Sequence, residues 1–96
     1  MTVSLSTHVL DTAAGCPAVG VAVEVVRDGA LIVATETDDD GRARLADALV
    51  PGVYRLVFRP PSPFFRRVEL ELDLVDGHYH VPLLVSPFGC VTYRGS

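Results

Sequence analysis

The chain has 96 residues, 12 acidic and eight basic, and a formal net charge of −4. This length predicts one domain over residues 1–96 that buries roughly two-thirds of its unfolded surface, a marginal core that self-association would reinforce. The acidic balance argues against nucleic acid and anionic membranes as partners, because both select basic surfaces.

All eight cations are arginine, a bias better explained by genome composition than by chemistry. The N-terminus, Met1 to Ser6, lacks the charged and apolar regions of a signal peptide. No apolar run approaches the ~20 residues of a spanning helix. Cys16 and Cys90 do not form a secreted disulfide framework. A reduced, cytoplasmic protein is the expectation.

The chain reads as strands from end to end. Leu5 to Thr12 is the first candidate and carries His8. After the turn Ala14-Gly15-Cys16-Pro17, Val21, Val23 and Val25 alternate around Ala22 and Glu24. Asp28-Gly29 marks a turn into a β-branched stretch of Leu31, Val33, Thr35 and Thr37. Asp38-Asp39-Asp40-Gly41 then leads to Arg42 at a strand start. Beyond Pro51-Gly52, Tyr54, Leu56 and Phe58 share one face, with Arg55 and Arg59 on the other. Pro60-Pro61-Ser62-Pro63 separates this strand from the next, where Val68, Leu70, Leu72 and Leu74 alternate with Glu69, Glu71 and Asp73. Asp76-Gly77 precedes the last segment. Val81 to Val85 is apolar on both faces, and Pro82 predicts a position near a sheet edge. Its second face would be covered by another subunit. Turns every ten to fifteen residues suit an all-β sandwich, and no helical stripe competes.

The chain has three histidines, His8, His78 and His80. Residues two apart on a strand point the same way, so His78 and His80 share a face. They read either as half-buried strand residues or as a site using imidazoles near their ordinary pKa of about 6.5. Three histidines and a water also make a zinc set, but no acidic or cysteine ligand stands beside the pair. Arg42 offers a rigid charged fork for a carbonyl or anion, whereas Asp38 to Asp40 read as a solvated turn. Phosphate loops, nucleophile elbows and Cys-x-x-Cys pairs are absent.

Taken together, several segments closely resemble the 5-hydroxyisourate hydrolases of purine breakdown, which are transthyretin-like proteins. They are Leu5-Ser6-Thr7-His8-Val9-Leu10-Asp11-Thr12, Gly15-Cys16-Pro17-Ala18, Asp40-Gly41-Arg42, His78-Tyr79-His80-Val81-Pro82-Leu83-Leu84 and Tyr93-Arg94-Gly95-Ser96. The final tetrapeptide carries most weight, since it separates the hydrolases from hormone-carrying transthyretin. The resemblance implies a two-sheet β-sandwich of seven to eight strands with a short or absent helix. It also implies a homotetramer, a dimer of dimers, with sites at the dimer–dimer face. The implied reaction opens the ring of 5-hydroxyisourate to give 2-oxo-4-hydroxy-4-carboxy-5-ureidoimidazoline, without metal or other cofactor.

On this resemblance, His8, Arg42, His80 and Ser96 are the expected catalytic residues, and His8, Arg42 and Tyr93 bind substrate. An imidazole of the His8/His80 pair would activate water, Arg42 would polarise a substrate oxygen, Tyr93 would fix the ring and Ser96 would orient His80. Two departures stand out. Cys90-Val91 occupies the place of the family's usual Tyr-Ser, and Pro60 to Pro63 replaces a longer connector with a short helix. The rival readings are non-catalytic: a transthyretin-like small-molecule carrier, or an interaction module like the regulatory sandwiches attached to carboxypeptidases.

Overall fold

Each alternating run becomes a strand in the computed structural model, which describes residues 1–96. In chain order the strands are β1 (Val3–Asp11), β2 (Cys16–Pro17), β3 (Ala22–Arg27), β4 (Ala30–Glu36), β5 (Arg42–Leu49), β6 (Gly52–Arg59), β7 (Val68–Leu74), β8 (Gly77–Ser86) and β9 (Gly89–Thr92). Seven match the expected segments, and two are additions: β2, two residues paired to the end of β1, and β9, paired to β8. There is no helix, so residues 60–67 cross between β6 and β7 as turns.

The strands form two sheets. One runs β2-β1-β8-β9, with β5 also paired to β1; the other runs β4-β3-β6-β7. Their inner faces meet in a core whose largest fully buried members include Phe58, Leu5, Leu56, Leu74 and Leu83. Tyr54, Leu56 and Phe58 point inward while Arg55 and Arg59 stay exposed, as the alternation requires. Asp28 and Gly29 both adopt positive φ, 51° and 76°, and join β3 to β4 as a two-residue hairpin.

Two features of the first sheet position everything that follows. First, β1 and β8 pair in parallel, with Ser4 beside His78 and Ser6 beside His80. Because Val3, Leu5, Thr7 and Val9 fill the inner face of β1, Ser4, Ser6 and His8 point outward. On β8, Val81, Leu83 and Val85 point inward, so His78 and His80 share the outer face with Ser4, Ser6 and His8.

Second, β8 is not an edge strand. It lies between β1 and β9, contrary to the expectation drawn from Pro82. The proline is tolerated because its missing N–H would have faced β9, where the ladder ends at Leu83 opposite Thr92. The Thr92 hydroxyl donates instead to the Pro82 carbonyl at 2.9 Å. The pairing then resumes once, at His80 opposite Gly95, in the same register as the rest of β9. The chain's last residues are thereby laid along β8 beside the histidines.

Candidate active site

Arg42 and His8 owe their placement to one turn. Residues Asp38 to Gly41 link β4 to β5, and the Asp38 carboxylate accepts the backbone N–H groups of Asp40 at 2.9 Å and Arg42 at 3.0 Å. Gly41 closes the turn at φ +74°; a Cβ there would lie 2.5 Å from the Val9 carbonyl oxygen. The turn is pinned to β1, since Val9 N–H donates to the Gly41 carbonyl at 2.7 Å. The Asp40 carbonyl in turn faces His8 Nε2 at 2.8 Å. A carbonyl can only accept, so His8 donates from Nε2, and its Nδ1 is the unprotonated nitrogen when the ring is neutral. Asp38 and Asp40 are therefore more than the solvated loop expected for them.

His80 is held on two sides. Its Nδ1 lies 2.9 Å from the Ser6 hydroxyl, which leaves Nε2 as the nitrogen without a protein partner. Gly95 N–H donates to the His80 carbonyl at 2.7 Å, and the glycine packs against the ring edge. Any Cβ at Gly95 would come within 2.7 Å of His80 Cδ2. Burial, and then the positive charge of Arg42, hold His80 below the ordinary histidine value, with smaller repulsions from His8 and His78. At neutral pH this ring is uncharged and able to accept a proton.

These groups surround a cavity of about 620 Å³ whose lining includes His8, Arg42, His78, His80, Ser96 and Asp38. It opens on the outer face of the first sheet, away from the core. Histidines from both ends of the chain, Arg42 and Ser96 thus line one cavity. They do not form a metal site: no group of three or more His, Cys, Asp or Glu is arranged to hold an ion. His78 has both ring nitrogens engaged by serines, at 2.6 Å to Ser4 and 3.0 Å to Ser6.

Tyr93 is the exception. Within the chain it does not line this cavity, but a second groove of about 460 Å³ between β7 and the β8–β9 edge, with Leu70, Leu72 and Tyr79. Residues 93 and 94 lie outside the paired strands, and Tyr93 faces this groove while Ser96 lines the cavity. Arg94 shares that groove, its guanidinium 4.1 Å from the Tyr79 ring centroid and donating to the His78 carbonyl at 3.3 Å. The sequence reading missed Ser6, which touches both histidines. Its signal was the alternation Ser4, Ser6, His8, which places all three on one face of β1.

Cys90 is half-buried against the core, and burial pushes its thiol pKa up, so it remains a protonated packing group. It forms no disulfide with the exposed Cys16.

The comparisons agree with this geometry. Residues 5–95 match the model of the HIUase/Transthyretin family. A 5-hydroxyisourate hydrolase of Caulobacter vibrioides is 43% identical over 112 aligned positions, covering 96% of this chain and 97% of the relative. The alignment is longer than the chain, so the relative carries insertions that this protein lacks. The structure of Klebsiella pneumoniae 5-hydroxyisourate hydrolase superposes with a TM-score of 0.90 at 34% identity, over 100% of both chains. Sea bream transthyretin in complex with thyroxine gives a TM-score of 0.83 at 31% identity, covering 95% of this chain and 93% of that one. By sequence and by fold, the chain belongs to the HIUase/Transthyretin family.

Proposed function

We propose that the protein hydrolyses 5-hydroxyisourate to 2-oxo-4-hydroxy-4-carboxy-5-ureidoimidazoline. The observation that carries this reading is the convergence of His80, His8, Arg42 and Ser96 on one cavity. Relatives named for this activity match the chain nearly end to end.

Opening the ring requires water to attack a carbonyl, which calls for a base, an oxyanion partner and groups that orient a flat polar substrate. His80 supplies the base: Nε2 is free, Nδ1 is tied to Ser6, and the ring is neutral at physiological pH. Arg42 faces the same space and stabilises the negative charge that develops on the carbonyl oxygen. His8, donating to Asp40 from Nε2, presents an acceptor nitrogen to a substrate N–H. Ser96 lines the same cavity as His80 and, through its hydroxyl or the chain-terminal carboxylate, orients either the water or the imidazole. None of these steps calls on a cofactor. Tyr93 acts on substrate only if assembly brings a partner's tail to the cavity.

The reading includes a homotetramer built as a dimer of dimers. The outermost strands β7 and β9 leave unpaired backbone on the same side of the sandwich, a surface suited to edge-to-edge dimerisation. The cavity opens on a sheet face that also presents Leu10 and Leu84, and a second dimer laid over that face would exclude water. A cytoplasmic location is part of the same proposal.

The carrier reading is favoured by one observation, the similarity to thyroxine-bound transthyretin. A carrier of apolar hormones has no use for a cavity lined by histidines, arginines and serines. The test generates 5-hydroxyisourate in situ from urate and follows its ultraviolet decay against buffer. Acceleration is expected from the native chain, and its loss from His80→Ala and from a chain lacking Tyr93 to Ser96. Unaltered decay with the native, folded chain would favour the carrier.

A further inference from the structure

The outer face of β1 and β8 carries an unbroken line of hydrogen bonds. Ser4 Oγ lies 2.6 Å from His78 Nδ1, His78 Nε2 lies 3.0 Å from Ser6 Oγ, and Ser6 Oγ lies 2.9 Å from His80 Nδ1. The parallel register explains it, because Ser4 stands beside His78 and Ser6 beside His80. The line also runs down a gradient of exposure, from half-buried His80 to exposed His78. We propose that Ser6 and His78 form a proton relay that connects His80, in the cavity, to bulk water.

A serine hydroxyl has one proton and here faces two imidazole nitrogens. It therefore donates to one ring and accepts from the other, which gives the line a direction. In one sense His80 Nδ1–H donates to Ser6, Ser6 donates to His78 Nε2, and His78 Nδ1–H donates to Ser4. His80 Nε2 then holds a lone pair toward the cavity, the form a base requires.

The need for such a line follows from the proposed hydrolysis, on which this inference rests. Ring opening adds water across a carbonyl–nitrogen bond: one proton ends on the ureido nitrogen, and the carboxyl group formed is ionised at neutral pH, so one further proton must leave. When His80 Nε2 takes that proton, the N–H bond forming at Nε2 is matched by transfer of the Nδ1 proton to Ser6. Ser6 passes its own proton to His78 Nε2, and the proton on His78 Nδ1 leaves through Ser4 or directly to water. No net charge stays behind, and His80 ends neutral with its proton on Nε2. After the product departs, exchange with water at the two ends restores the first sense. The relay thus carries the proton from half-buried His80 to exposed His78, which lines the same cavity.

The test uses the full chain with in situ 5-hydroxyisourate, in weak and in concentrated imidazole buffer. Ser6→Ala and His78→Ala are expected to lower kcat about tenfold, the lower end of what a positioned proton-transfer group contributes. KM should stay within about twofold. Concentrated imidazole should restore kcat in both variants while leaving the native chain unaffected, and Ser6→Thr should retain activity without added buffer. A purely structural role would show no rescue by a diffusible base. The relay is overturned if both variants keep native kcat, or if their loss ignores the buffer. Inactive His80→Ala with such a result removes the relay alone, whereas fully active His80→Ala removes the hydrolytic assignment itself.

Discussion

His80 is the residue whose surroundings decide what the site can do. The charged and titratable groups facing it are Arg42 and Arg44 from β5, Asp38 from the preceding turn, His8 from β1 and His78 from its own strand. Burial and the positive charges among them disfavour the imidazolium, so proton loss occurs below the ordinary value of about 6.5. In the proposed reaction the base is the neutral ring. Thus kcat/KM is expected to rise with pH and to level off through an inflection below that value. Arg42→Gln removes a cation that depresses His80, so the inflection should move upward, toward 6.5. The same change withdraws the oxyanion partner, and a fall in kcat/KM of about 10²–10³ is expected. A pH–rate series on both proteins measures the two effects together, and an unmoved inflection would remove Arg42 from the neighbourhood of the base. At this scale the sequence singled out His8, Arg42, His80 and Ser96, which line one cavity, but not Ser6. A serine in a strand carries no chemical signature until its neighbour across the ladder is known.

Strands and turns determine which of those residues meet. Alternation made the strands legible, because a period of two with one apolar face admits few other readings. The parallel pairing of β1 with β8 was not legible, since it joins segments more than seventy residues apart and depends on what each strand finds across the sheet. Pro82 misled for the same reason. Its missing donor forbids a pairing only where a partner would have used it, and β9 ends at that point. The Asp38 to Gly41 turn was readable as a turn but not as a support for His8 and Arg42. Gly41 is its most constrained member, at φ +74° with the Val9 carbonyl and Pro17 against the site of any Cβ. Gly41→Ala is expected to cost about 1–3 kcal/mol from backbone strain alone. Thermal unfolding should show a Tm lower by roughly 4–8 °C for each kcal/mol, accompanied by lower kcat as Arg42 and His8 shift. An unchanged Tm would mean that the turn relaxes freely and supports neither residue.

The whole molecule presents its chemistry on an outer surface, in a cavity that a single chain leaves open. In the proposed tetramer, closure by a second dimer would make assembly part of catalysis, and that is measurable. Light scattering is expected to give four chain masses for the native protein. Leu84 is half-buried on the outer face of β8, between the inward-pointing Leu83 and Val85. Leu84→Glu places a charge on the surface where two dimers would meet, so the expected species is a two-chain assembly with an intact fold and depressed activity. A four-chain mass with full activity would move the contact elsewhere. One property of the sandwich reaches beyond this enzyme. Strands β1 and β8 of the first sheet are each read twice, inner residues filling the core and outer residues lining the cavity. Selection can therefore rewrite one set while the other stands still. A ligand carrier and a hydrolase can descend from the same scaffold through changes confined to its skin, without passing through an unfolded ancestor.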